Sequence, residues 1–253
     1  MTLPTAKPNQ PRIAPCAAMD CRACEFRSLT FCAGLHNQEI GELSSIVTRL
    51  RIEPQQIVFQ EGDAVEHVFN VTSGVVKLYK LLLDGRRQIT GFLLPGDFLG
   101  LADKDHYTCT AEAVGAATLC RFERSALDDL VQRQSCLEGH LLDRARAELA
   151  DGRSQLLLLG HKTARERVAS FILTQSARAV QRGLSASPVE TPMRRVDIAD
   201  HLGLTTETVS RTLTGLTADG MIGVEAGRRI IIRETDQLAA LAAGHKFHKF
   251  IKN

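Results

Sequence analysis

LEGHLLDRARAELADGRSQLLLLG, residues 137 to 160, is the stretch whose reading decides the architecture. Leu137, Leu141, Ala145, Leu149, Gly152, Leu156 and Leu159 follow one another at steps of four and three, so an α-helix aligns them as one apolar stripe about six turns long. Such a stripe is a coiled-coil-like seam. A core helix packed inside one domain would show the same period, but this one joins two differently patterned regions. Before it lie short β-type runs separated by glycine turns; after it lie helices that end in a basic two-helix unit.

Toward the N-terminus, the segment from Arg51 to Phe122 carries turn signals at Gly62-Asp63, Ser73-Gly74, Asp84-Gly85, Pro95-Gly96-Asp97 and Gly115. Runs such as VVKLYKLLL and QITGFLL lie between them, and regular spacing of this kind predicts hairpins folded into a small barrel or roll. A short amphipathic helix is expected over Asn37 to Leu50, and another over Ser125 to Gln134. Residues 1 to 15, with four prolines, read as a disordered leader.

Between leader and roll stands CAAMDCRACEFRSLTFC, which holds Cys16, Cys21, Cys24 and Cys32. The Cys-x2-Cys pair at its centre lets two thiolates grip one metal centre; zinc and iron–sulfur clusters both use it. Seven cysteines in all, four of them crowded here, make a poor disulfide framework and a better metal or cluster site. Cys109 and Cys120 sit in the last strands of the roll, where one could fold back toward the cluster and the other pack as a small hydrophobe.

Toward the C-terminus, KTARERVASFILTQSARAVQR is again amphipathic, and Gly183 to Pro188 breaks it. RRVDIADHLGLTTETVSRTLTGLTADGMI then gives two short helices around Gly203, a helix-turn-helix pattern. Gly203 suits the left-handed end of the first helix and Thr205 the N-cap of the second. IGVEAGRRIIIRE reads as a β-hairpin wing turning at Ala226-Gly227, and the tail AGHKFHKFIKN as a solvated end. In such a unit the second helix enters the major groove with its first turns facing base edges. Those turns are Thr205-Thr206-Glu207-Thr208-Val209-Ser210-Arg211. Arg211 can donate bidentately to guanine, Glu207 can accept from cytosine, and Ser210 can reach either kind of edge. Glu207 and Arg211 could also pair across one helical turn on a solvated face.

The charge distribution agrees with this placement. Residues 161 to 253 carry 14 Lys/Arg against 9 Asp/Glu, whereas residues 1 to 160 carry 17 against 20. The C-terminal part is the expected partner of a polyanion. No run approaches a membrane span, and the start MTLPTAKPNQPR lacks the apolar region of a signal peptide, so the expected location is the cytoplasm, with no membrane partner. No nucleophile–base set, Walker loop or dinucleotide fingerprint is present, so no enzyme is expected.

Taken together, cysteine cluster, β-roll, seam helix and winged helix-turn-helix resemble the cyclic-AMP receptor protein superfamily, and within it the oxygen-sensing FNR branch. The segments LLLLGHKTARERVASFI, DIADHLGLTTETVSR and DGRRQITGFLLPGDFLG carry the likeness. The resemblance implies an α+β fold in four parts: a leader over 1–15, a cysteine cluster and β-roll sensor over 16–136, a dimerisation helix over 137–160 and a winged helix-turn-helix over 161–253. It further implies a [4Fe–4S] cluster on Cys21, Cys24, Cys32 and Cys120, with Cys16 the spare. It places the branch's reader of TTGAT-N4-ATCAA-like palindromes on Glu207, Ser210 and Arg211, and it implies a homodimer that works on double-stranded DNA with RNA polymerase. The spacing from Cys24 to Cys32 looks like that of the FnrN and FnrL regulators of α-proteobacteria. After Gly96-Asp97-Phe98-Leu99-Gly100 the chain continues ADKDHYTCTAEA, without the Arg-Ser pair that holds a cyclic phosphate in the cyclic-AMP receptors, so no cyclic nucleotide is expected.

Three other readings compete. A zinc thiolate or a haem could replace the cluster, which colour under anaerobic purification would reveal; an iron–sulfur electron carrier would need neither reader helix nor seam. Within the seam, Glu148 falls on or beside the apolar stripe, three residues after Ala145 and four before Gly152. In a symmetric dimer it is expected either to meet its own copy or acidic neighbours, and so to oppose association until the sensor adds stabilisation, or to swing outward and pair with Arg144 one turn before it or with a partner arginine.

Overall fold

The structure is a computed structural model that describes residues 14–15, 21–100 and 105–245. Most of the expected leader, Cys16 and the last eight residues of the basic tail lie outside the described residues, as does the side chain of Cys136. Contacts divide the chain into two units, one of residues 1–80 and 91–145, the other of residues 81–90 and 146–253.

The first unit begins with strand β1 (Ala14–Pro15) and three short 3-10 turns at Cys21–Ala23, Arg27–Leu29 and Phe31–Gly34. Helix α1 (Asn37–Ile46) starts where Glu39 Oε2 accepts the His36 amide at 2.6 Å, and it buries Ile40 and Leu43. It ends four residues before the Leu50 expected from its pattern. Val47–Ile52 is strand β2 instead, because the β-branched Val47 and Thr48 and the alternating Leu50 and Ile52 suit a pleat, and all six residues pair with a later strand.

Strands β3 (Ile57–Phe59), β4 (His67–Ser73), β5 (Val76–Leu81), β6 (Arg87–Leu93), β7 (Phe98–Leu99), β8 (Thr110–Ala113) and β9 (Ala117–Glu123) follow. They form one sheet in the order β1-β2-β9-β4-β7 and another in the order β3-β8-β5-β6. Of the five glycines expected to mark turns, Gly62, Gly74, Gly85 and Gly96 have positive φ, whereas Gly115 does not. Between the sheets lies an apolar core in which Leu50, Val71 and Leu119 meet Phe59, Val76 and Ala111. Beside it, the register pair Lys77 and Glu112 forms a buried ion pair at 2.8 Å. The outer face of the first sheet carries a second core, in which Val68 and Phe122 pack with Phe31, Leu43 and Leu127.

Helix α2 (Arg124–Arg133) leads into α3 (Ser135–His161), the expected seam helix, whose residues divide between the two units after Ala145. Leu137 is wholly buried in the second core and Leu141 packs against it. The stripe therefore serves the chain's own interior over its first turns and reaches the surface at Leu149 and Leu156, 57% and 73% exposed.

In the second unit, Thr163 and Glu166 form a capping box that starts α4 (Ala164–Gln181). Strand β10 (Val189–Glu190), helices α5 (Arg195–Leu202) and α6 (Thr206–Ala218), strands β11 (Ile222–Glu225) and β12 (Arg229–Ile232) and helix α7 (Thr235–Ala242) complete it, with sheet order β10-β12-β11. Asp197, 1% exposed, accepts the Arg194 amide at 3.2 Å and the Arg87 guanidinium at 2.9 Å, and Arg87 also reaches Asp200. A buried carboxylate held by two arginines explains why the segment 81–90 belongs with this unit.

Candidate cofactor pocket and DNA-reading helix

Alternation along β9 decides which cysteine meets the N-terminal ones. Leu119 points between the sheets, so Cys120 and Phe122 point to the outer face, where the 3-10 turns lie. Cys21, Cys24, Cys32 and Cys120 thus line one recess, walled also by Arg27, Thr30, Leu43, Asn70, Thr72 and Phe122. Cys109 packs against the core between the sheets, away from them.

The turns that carry the cysteines are fixed by named contacts. Thr30 caps the Phe31–Gly34 turn by accepting the Cys32 amide at 3.2 Å, and its hydroxyl donates to the Arg27 carbonyl at 3.0 Å. Arg27 donates to the Leu35 carbonyl and Arg144 to the Leu29 carbonyl. Phe31 sits edge-on to Phe98 and Phe122 at 5.0 and 5.5 Å. Gly96, at φ +98°, lets the roll approach so closely that an added Cβ would stand 2.8 Å from the Leu29 Cβ.

Burial pushes the Cys32 thiol up to about 12, with a Thr30 hydrogen bond opposing and Cys21, Cys120 and Cys24 adding to the rise. Burial likewise pushes Cys120 up to about 12, reinforced by Cys21 and Cys24 and opposed by Arg49. Both are neutral thiols near pH 7, and a metal centre that took them as ligands would displace their protons.

Four soft sulfurs without a carboxylate or histidine suit zinc or iron–sulfur chemistry. A single tetrahedral zinc ion needs its sulfurs about 2.3 Å from one point. Among the described residues no group of three or more His, Cys, Asp or Glu side chains is gathered closely enough to hold a metal ion. Four cysteines lining one recess are a donor set that a thiolate-bound zinc ion or an iron–sulfur cluster could each use.

Asn70, like Arg27, Thr30, Leu43 and Thr72, is a wall residue that the sequence alone does not single out. It is 3% exposed and its Oδ1 is buried without a hydrogen-bond partner. The signal was an asparagine, a poor strand former, inside the run HVFNVTS.

In the second unit, α5 ends at Gly203, left-handed at φ 60° as expected. Thr205 caps α6 by accepting the Thr208 amide at 3.1 Å, and the Ser210 hydroxyl bonds the Thr206 carbonyl at 2.9 Å. Glu207 and Arg211 are both exposed and pair across one turn at 2.6 Å. That pairing holds the guanidinium on the exposed face of α6, while Val209, Leu213 and Leu216 are buried opposite. Strands β11 and β12 form the expected wing, turning through positive φ at Gly227 and Arg228. On α3, Ala145 is partly buried, Glu148 and Gly152 are exposed, and Leu159 is partly covered.

A roll, a long helix and a winged helix-turn-helix in that chain order define a two-part DNA-binding regulator. Residues 49–134 match the cyclic nucleotide-binding domain and residues 166–241 the Crp-like helix-turn-helix domain. The chain is 39% identical over 223 residues to the nitrogen fixation regulation protein FixK of Bradyrhizobium diazoefficiens, covering 88% of this chain and 94% of that one. It is 35% identical over 231 residues to the fumarate and nitrate reduction regulatory protein of Salmonella typhi, covering 90% and 92%. The structure of FixK2 from Bradyrhizobium japonicum superposes with a TM-score of 0.73 at 37% identity, covering 78% of this chain and 97% of that one. The chain belongs to the CRP/FNR family of transcription regulators.

Proposed function

We propose that the chain is a cytoplasmic, homodimeric regulator whose DNA binding depends on an oxygen-labile [4Fe–4S] cluster held by Cys21, Cys24, Cys32 and Cys120. The observation that carries the reading is the convergence of those four cysteines on one recess. When bound, the cluster supplies a redox-active group that oxygen destroys. The chain's own residues transmit the difference. Cys120 lies in β9, which runs directly into α2, and Phe31 and Leu137 share one core, so tying the 3-10 turns to β9 steadies the base of α3. The exposed part of the stripe, with Leu149, Gly152 and Leu156 and with Leu159 beside them, is then the surface for a second copy. Two copies present two α6 helices about one DNA turn apart. Glu207, Ser210 and Arg211 face TTGAT-like half-sites, while Thr205 and Thr206 order the first turn.

RNA polymerase is the protein partner at activated promoters, a reading supported by relatives named as transcriptional activators. No cyclic nucleotide is required, since the segment after Gly100 lacks the Arg-Ser pair noted above. Anaerobic purification tests the proposal: the protein should be brown, carry iron and sulfide, and bleach in air with loss of sequence-specific DNA binding. Cys120→Ser should lose the iron, whereas Cys16→Ser, Cys109→Ser and Cys136→Ser keep it. A colourless protein without iron refutes the reading, and one with a single zinc per chain replaces it.

A further inference from the structure

Among the described residues, every polar wall residue of the cysteine recess except one is visibly engaged. Thr72 bonds the Thr118 carbonyl at 3.0 Å and its hydroxyl at 2.8 Å; Thr30 and Arg27 are committed to the turns. Asn70 Oδ1 alone is buried there without a partner. A shape-matched leucine would avoid the desolvation cost of that group, so the carboxamide needs a reason to be present.

Its position supplies one. Asn70 and Cys120 are register partners on neighbouring strands and share one face, where such pairs lie side by side. A half-turn about the last side-chain torsion exchanges oxygen for NH2 without changing the shape of the group. A thiolate, unlike the thiol, is an anionic acceptor that strengthens the bond it receives. Resting on the iron–sulfur reading above, we propose that Asn70 is a positioning residue whose side-chain NH2 donates to cofactor-site sulfur, foremost the Cys120 thiolate, and so sets the lifetime and reduction potential of the bound cluster. Hydrogen bonds to cluster sulfur favour the more negative redox state and raise the potential.

The test uses the full chain, anaerobically reconstituted, as parent, Asn70→Leu, Asn70→Asp and Asn70→Ser. Asn70→Leu keeps the shape and removes the donor. It should load iron, show a lower reduction potential and bleach about tenfold faster at fixed oxygen, while its cofactor-free form melts at a higher temperature than the parent's. Asn70→Asp should fall below Asn70→Leu in lifetime, and Asn70→Ser, which keeps a donor, should lie between Asn70→Leu and parent. A merely structural role lowers cofactor-free stability and cluster lifetime together, and that result overturns the proposal. So does a parental lifetime and potential in Asn70→Leu, or, if that variant does not fold, in Asn70→Asp. A parent chain that takes up no iron overturns the iron–sulfur reading and this inference with it, a result distinct from a loaded parent indifferent to Asn70.

Discussion

Replacing Gly96 by alanine perturbs the cysteine recess without touching a cysteine. Gly96 lies at φ +98°, a region that costs an L-residue roughly 1–2 kcal/mol. Its new Cβ would stand 2.8 Å from the Leu29 Cβ and 3.1 Å from the Leu29 carbonyl oxygen. Carbon atoms rest at about 3.5–4.0 Å, so one side must yield by most of an ångström, and overpacking of that kind costs about 1–3 kcal/mol. Leu29 lies between Cys24 and Cys32, so the strain falls on the segment bearing three of the four sulfurs. Gly62 is the matched control: it has φ +89° in the same unit, with nothing within 4 Å of an added Cβ. Gly62→Ala should show the backbone penalty alone and keep its iron. Gly96→Ala should melt roughly 3–10 °C lower than Gly62→Ala and retain well under half the iron after identical reconstitution. Equal melting temperatures and equal iron in the two variants would refute the reasoning, because the contact with Leu29 would then carry no weight.

Arg211→Ala should lose about 1–3 kcal/mol of discrimination at one guanine per half-site and leave non-specific binding nearly unchanged, as read by competition gel shift; an unaltered site preference counts against the reader assignment. His201, whose Nδ1 lies 3.1 Å from the Ile89 carbonyl, is lowered to about 4, first by burial, with Arg178 adding. Between about pH 6.5 and 4 the unfolded chain holds a proton there that the folded chain does not, so stability present above this window falls as pH drops through it, by at most about 3 kcal/mol. His201→Asn, which keeps a donor toward Ile89, should flatten most of that slope in thermal melts, with His67, lowered by burial and by Arg121, leaving a remainder in the same direction. Glu148→Ala should raise the dimer fraction of cluster-free protein several-fold in sedimentation, the size of a repulsion of about 1 kcal/mol; a variant as monomeric as its parent sinks that role.

Much of the second unit was legible because its signals are local. Gly203 and Thr205 announce one helix end and the next helix start through their own backbone needs, and both sit where the sequence puts them. The roll was legible through its glycine turns. Less was visible where the outcome depends on what lies across a sheet. The pattern from Asn37 continues past Ile46, and only pairing with β9 turns Val47–Ile52 into a strand. The seam's periodicity is the same whether its residues meet their own domain or a second copy; Leu137 went to the core because Phe31 and Phe122 are there to receive it. Asn70 and Leu29 gained meaning from neighbours far along the chain, which no local pattern encodes.

The placement of the four recess cysteines also bears on how the protein is made. Three precede β2 and every later strand of the roll, whereas Cys120 belongs to its last strand and takes its place only when β9 has inserted between β2 and β4. A ribosome still short of that strand exposes at most three of the thiols, and closing the long loop to the fourth carries the entropic cost of assembling the roll itself. If the recess holds a metal centre as proposed, four-thiol capture would follow translation of the whole first unit, so that a truncated or misfolded roll would be barred from holding it.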